Sequence, residues 1–145
     1  MAYPPKLQEF LDTLAMFPDR AERIEALISI AERFQPISPN LAAKPYGEAH
    51  RVPGCESEAF VWARPRPDGT LEFDFAVDNP QGISAMALAT ILDETLSGEP
   101  VEAVAQVPEE VVYEIFGREL SMGKSMGLMG MVRMVAAEAR KRLAA

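Results

Sequence analysis

Leu71-Glu72-Phe73-Asp74-Phe75-Ala76-Val77 alternates large apolar residues with mostly polar ones, the period-two pattern of a strand that buries one face. Leu71, Phe73, Phe75 and Val77 form the inward set. Just upstream, Pro67-Asp68-Gly69 has the chemistry of a tight turn, and before it Phe60 and Trp62 alternate ahead of Pro65. Residues 59–77 therefore read as an antiparallel hairpin.

Outward from the hairpin the period becomes helical. Leu7, Phe10, Leu11, Leu14 and Phe17, after Pro4-Pro5, predict a first helix closed by Pro18. Asp19 with Glu22 resembles a capping box and opens a second, with Ile24, Leu27, Ile28, Ala31 and Phe34 on one face. Residues 35–54 hold six prolines and glycines, too many for a helix, with room for a short strand at 48–52. Downstream, Asn79-Pro80 predicts an N-cap and first helical position for a helix through Ile83, Met86, Ala87, Thr90 and Ile91. Pro108-Glu109-Glu110 starts another, through Val111, Val112, Ile115 and Phe116 to Gly117. Ser121 caps the last, where Leu128, Met131, Val132, Val135, Ala139 and Leu143 keep helical spacing and Arg140-Lys141-Arg142 complement the dipole. The class is α+β: a small antiparallel sheet of two to three strands, packed by N-terminal and C-terminal helices.

The 145 residues, 48% hydrophobic and 25% charged, suit one domain over residues 1–145. A net charge of −8 without a basic stripe argues against nucleic acid as a partner. Met1 to Lys6 lacks signal-peptide character and no apolar run has the length of a membrane span, so no membrane partner is expected and a cytoplasmic location is. No cofactor is expected either. Gly123-Lys124-Ser125 looks like the end of a phosphate-binding loop, but Arg118 stands where that loop needs glycine; close backbone approach at Gly123 and Gly127 is the better reading. Met122, Met126, Met129, Met131 and Met134 cannot share one narrow face, so some are expected at the surface; flexible packing of a small core is favoured over a partner-binding surface.

One histidine, His50, and one cysteine, Cys55, cannot build a cysteine- or histidine-rich metal site. They could form a Cys–His nucleophile pair, though nothing supplies its orienting group. Cys55 sits in Val52-Pro53-Gly54-Cys55-Glu56-Ser57, a rigid-then-polar loop that presents a side chain, where a packed apolar thiol is the plain alternative. A thiol of ordinary acidity is only a few per cent ionised at neutral pH, so a nearby cation would help; Lys44, Arg51 and Lys124 are candidates.

Val52-Pro53-Gly54-Cys55-Glu56-Ser57-Glu58 resembles the V-x-G-C-x-S motif of the SufE family of sulfur acceptors. Asp78 resembles that family's acidic position after its last strand, and Leu120-Ser121-Met122-Gly123-Lys124-Ser125-Met126-Gly127-Leu128 is similar to its L-(T/S)-x-x-R-x-x-G-L segment, with Lys124 in place of arginine. The likeness runs from the first helix to the last. It implies the α+β fold shared with cluster scaffold proteins, and a chain that takes persulfide sulfur from a SufS-like cysteine desulfurase onto Cys55. It further implies that the chain stimulates that enzyme and delivers sulfur to an iron–sulfur cluster scaffold. The implied role is a covalent carrier and activator more than a stand-alone enzyme, with pyridoxal phosphate held by the partner and Cys55 supported by Lys124, Arg51, His50 and Asp78. A regulatory module that docks on an enzyme without carrying sulfur is the competing reading.

Overall fold

The computed structural model describes residues 3–143, so Met1 and Ala2 of the amino-terminal stretch lie outside it. Helix α1 (Pro5–Leu14) begins with proline at its first turn, and α2 (Arg20–Ala31) is capped by Asp19, whose carboxylate accepts from the Ala21 N–H at 3.2 Å. Strands β1 (Ala59–Pro65) and β2 (Leu71–Val77) pair antiparallel with Val61 opposite Phe75 and Ala63 opposite Phe73. Helices α3 (Ile83–Leu96), α4 (Val101–Val104), α5 (Val111–Phe116) and α6 (Met122–Leu143) follow.

The alternation of β2 has its expected consequence: Leu71, Phe73 and Phe75 are buried together with Val61 of β1, and Val77 is half-buried at the strand end. Helix α3 packs on β2 and is apolar almost all round, because α1, α2 and α6 enclose its remaining faces. Helix α6 covers β1. Phe60 and Trp62 occupy the opposite sheet face, where Ile37, Ala42, Tyr46 and Ala76 join them in a second apolar cluster. Two strands alone would be marginal. Here segments on both sides take up the free edges: Ile37 donates to the Phe75 carbonyl, and Val52 donates to that of Ala59.

Several expectations need correction. The span 48–52 holds a 3-10 turn, Glu48–His50, and only Arg51 bridges to Phe60, because its N–H is spent on Glu48 within the turn. Asn79 caps no helix. Its side chain accepts from Gln81 N–H in a local turn while Asp78 and Asn79 still pair with the Glu58 and Ser57 carbonyls, so the hairpin ladder delays α3 to Ile83. On α2 the buried residues are Leu27, Ile30 and Ala31, while Ile24 and Ile28 are 46% and 42% exposed. Leu143 is exposed too, and the one-turn α4 had not been expected.

Candidate functional site

The cysteine loop is built from both sides. Val52, fully buried, anchors its start through the Val52–Ala59 backbone bond; Gly54 then takes a positive φ of 68°, which turns the chain so that Glu58 N–H donates to the Cys55 carbonyl at 3.1 Å. At its far end Ser57 and Glu58 accept from Asn79 and Asp78. Cys55 thus stands at the tip of a loop whose base belongs to the hairpin, half-buried and free of any disulfide.

The amino-terminal part of α6 lies directly beneath it. Ser121 caps this helix, accepting from the Lys124 N–H at 3.2 Å, and Ser125 returns a hydroxyl bond to the Ser121 carbonyl. Gly127 faces the cysteine so closely that a methyl group there would sit 3.1 Å from Cys55 Cα and 3.2 Å from its Sγ. The close approach expected at Gly127 is thereby explained. Cys55, Glu56, Ser57, Ser84, Gly123, Lys124, Gly127 and Leu128 line a cleft of about 30 Å³, the room of a water molecule. Such a space holds no small-molecule substrate, so a reaction at this thiol has to involve a group presented from outside.

Of the supporting residues read from sequence, only Lys124 lines the cleft with Cys55. Arg51 pairs with Glu48 at 2.9 Å, reaches Glu58 at 4.0 Å and lies over the Phe60 ring. His50 stacks on Trp62, with Nδ1 3.0 Å from the Val61 carbonyl, so it belongs to the cluster on the far side of the sheet. Asp78 forms an ion pair with Lys44 at 3.1 Å and ties that segment to the end of β2. These three brace the loop's surroundings. Ser84 on α3, absent from the sequence reading, enters the cleft because the hairpin delivers the start of α3 beside Ser57; a small serine gives no sequence signal of that role. Among the described residues no group of three acidic, histidine or cysteine side chains is placed to hold a metal, and no helix is long and apolar enough to cross a membrane.

Carboxyl groups with displaced acidities lie elsewhere, at the outer end of the hairpin. Burial pushes the Asp93 carboxyl above its usual range against the Ser97 hydroxyl bond, and the adjoining Glu72 and Asp74 carboxylates push it further. Burial works the same way on Glu72 and is the largest single effect there, but the bonds from Arg66, Asp93 and Ser97 and the Arg66 charge together outweigh it and hold that carboxyl below the ordinary value.

No curated protein sequence matches the chain. Among solved structures, the solution structure of a hypothetical protein from Thermus thermophilus superposes with a TM-score of 0.74 at 26% identity, covering 99% of this chain and 100% of that one. The SufE model, described as an Fe-S metabolism associated domain, matches residues 8–139 and takes in the cysteine loop, the hairpin and the Gly127 contact. With nearly its whole length accounted for in that way, the chain belongs to the SufE family of Fe-S metabolism.

Proposed function

We propose that Cys55 accepts sulfur from a SufS-like cysteine desulfurase and passes it to an iron–sulfur cluster scaffold. The observation that carries this reading is the placement of the chain's one thiol, half-exposed at a loop tip above a cleft too small for a substrate of its own. In the step proposed, the Cys55 thiolate attacks the outer sulfur of the donor's persulfide. A new bond forms from Sγ to that sulfur, the donor's S–S bond breaks, and the donor leaves as a thiolate while the proton stays with the transferred sulfur. No electrons are gained or lost overall, and one cysteine suffices. Pyridoxal phosphate belongs to the donor, which generates the persulfide; this chain contributes the acceptor. The reading places the protein in a reducing compartment such as the cytoplasm, where a lone thiol stays available.

Incubation with a purified desulfurase and cysteine, followed by intact mass measurement, tests the reading. The wild type should gain the mass of one sulfur, removable by a reducing thiol. Cys55→Ser should gain none yet still bind the desulfurase. If Cys55→Ser stimulated the enzyme as fully as the wild type, the chain would be a regulator and the carrier reading would fall.

A further inference from the structure

Three hollows adjoin in a row, each sharing lining residues with the next, and together they outline a trough that ends at Cys55. The cysteine cleft shares Ser84 with a hollow of about 260 Å³ lined by Ile24, Ile28 and Ile83. That hollow in turn shares Arg20, Arg23 and Phe116 with one of about 330 Å³ reaching Arg118 at the end of α5. Its middle is apolar and open to solvent, since Ile24, Ile28 and Ile83 are each between 42% and 46% exposed. This explains why the α2 stripe reads as a buried face in sequence yet is uncovered in the fold.

The far end is cationic in a chain of net charge −8. Arg20 pairs with Glu119, but Arg23 Nε is buried and has no hydrogen-bond partner among the described residues. That nitrogen lies beneath the surface, and the cation an incoming carboxylate can reach is Arg118, which is exposed, stacks on Tyr113 and makes no ion pair among the described residues. The hollows lie in a row with exposed side chains between them, an elongated shape that an extended protein segment can follow.

Resting on the sulfur-acceptor reading, we propose that this trough docks an extended segment of the sulfur-donating desulfurase, apolar in its middle and acidic at the end away from Cys55. The apolar side chains cover Ile24, Ile28 and Ile83, a carboxylate meets Arg118, and the line of the segment leads to the thiol. Adjacency argues for this occupant: a protein that brings its persulfide to Cys55 lies against the surface beside it, where Ser84 belongs to both hollows.

The test is titration of a purified cysteine desulfurase with wild type, Ile24→Asp/Ile28→Asp and Arg118→Gln, alongside sulfur uptake, Cys55 alkylation rate and thermal unfolding. Ile24 and Ile28 are exposed and Arg118 lies at the surface, and Arg118→Gln leaves the apolar stripe intact should the double variant fail to fold. We expect the double variant to weaken binding by about tenfold or more, and Arg118→Gln by about threefold with a reduced salt dependence. Alkylation of Cys55 without the partner should stay at the wild-type rate. Unchanged affinity in folded variants, with normal sulfur uptake by the wild type, would overturn the trough and leave the acceptor reading standing. Absence of uptake by the wild type would overturn both. Variants that lose self-association in sedimentation but keep desulfurase affinity would give the trough to a second copy of the chain and overturn the proposal.

Discussion

Gly127 and Cys55 are in backbone-to-side-chain contact: the helix offers a bare Cα where a methyl group would press on Cys55 Cα, Cβ and Sγ at 3.1 to 3.3 Å. The neighbour able to yield is the loop, since Pro53, Gly54 and Glu56 are exposed to solvent while α6 is held in the core. Gly127→Ala should therefore lift the thiol outward. Its alkylation rate should rise about threefold or more, while the helix-propensity gain of about 1 kcal/mol offsets the strain and keeps the unfolding midpoint near wild type. An unchanged alkylation rate would show that the contact does not hold the thiol in.

One turn further along, Gly130 presents the opposite case. A methyl group there would meet Val52 Cγ1 at 2.9 Å, and Val52 is buried against the main core, where nothing can yield. Gly130→Ala should destabilise by about 1–3 kcal/mol, in spite of the better helix former, as read by chemical denaturation. A neutral or stabilising result would mean that α6 slides on β1 at little cost.

Among the described residues Lys124 is the one cation lining the cleft with Cys55, and it is exposed. A charge acting through water is weak and screened by salt. Lys124→Met should slow alkylation of Cys55 about twofold at neutral pH and low salt, a difference that fades in high salt, with Lys124→Arg at the wild-type rate. Equal rates in all three proteins at low salt would reduce Lys124 to a solvated helix-entrance residue.

His50 is close to Cys55 in sequence yet stacks on Trp62 with its Nδ1 at the Val61 carbonyl. His50→Gln should leave sulfur uptake at the wild-type rate and lower stability by about 0.5–1.5 kcal/mol, the value of one such bond. A loss of uptake in a folded variant would return His50 to the chemistry.

Asp93 supplies a pH dependence of stability. Its folded value is raised, so the fold favours the protonated form; this contribution is full below the ordinary aspartate range near 4 and is lost as pH rises through the raised value. Asp93→Asn keeps an acceptor for the Ser97 hydroxyl and removes the titration. Its unfolding midpoint relative to wild type should climb as pH rises from below the ordinary aspartate range through the raised value. Parallel midpoints across that range would refute the assignment. Glu72, held low, acts in the other direction and loses its contribution on acidification in both proteins.

How far the sequence could be read depended on how local each cause was. The β2 alternation, the Asp19 and Ser121 caps and the stop at Gly117 follow from neighbours within a few residues, and they were legible; the close approach at Gly127 was legible from the glycine alone, while the neighbour that requires it, Cys55, is distant in sequence. Ile24 and Ile28 were not legible, because periodicity says which side of a helix is apolar and nothing of how much of that side its neighbours cover. Asn79 misled for a chemical reason: the carboxamide that caps a helix closes a local turn equally well. Nearness along the chain also overstated the link between His50 and Cys55, since the turn at Glu48–His50 and the bridge at Arg51 send the two to opposite sides of the sheet.

The cysteine loop is stitched at both ends, by Val52 to Ala59 and by Ser57 and Glu58 to Asn79 and Asp78. Only residues 53–56 are left to swing, and a fully extended chain covers about 3.3–3.6 Å per residue with both ends pinned. A tether that short lets the sulfur tilt out of its cleft but not travel. In the proposed transfer, depth in a partner's pocket would be covered by motion of the partner or by rigid-body insertion of the whole hairpin end, with the loop a stiff probe rather than a swinging arm.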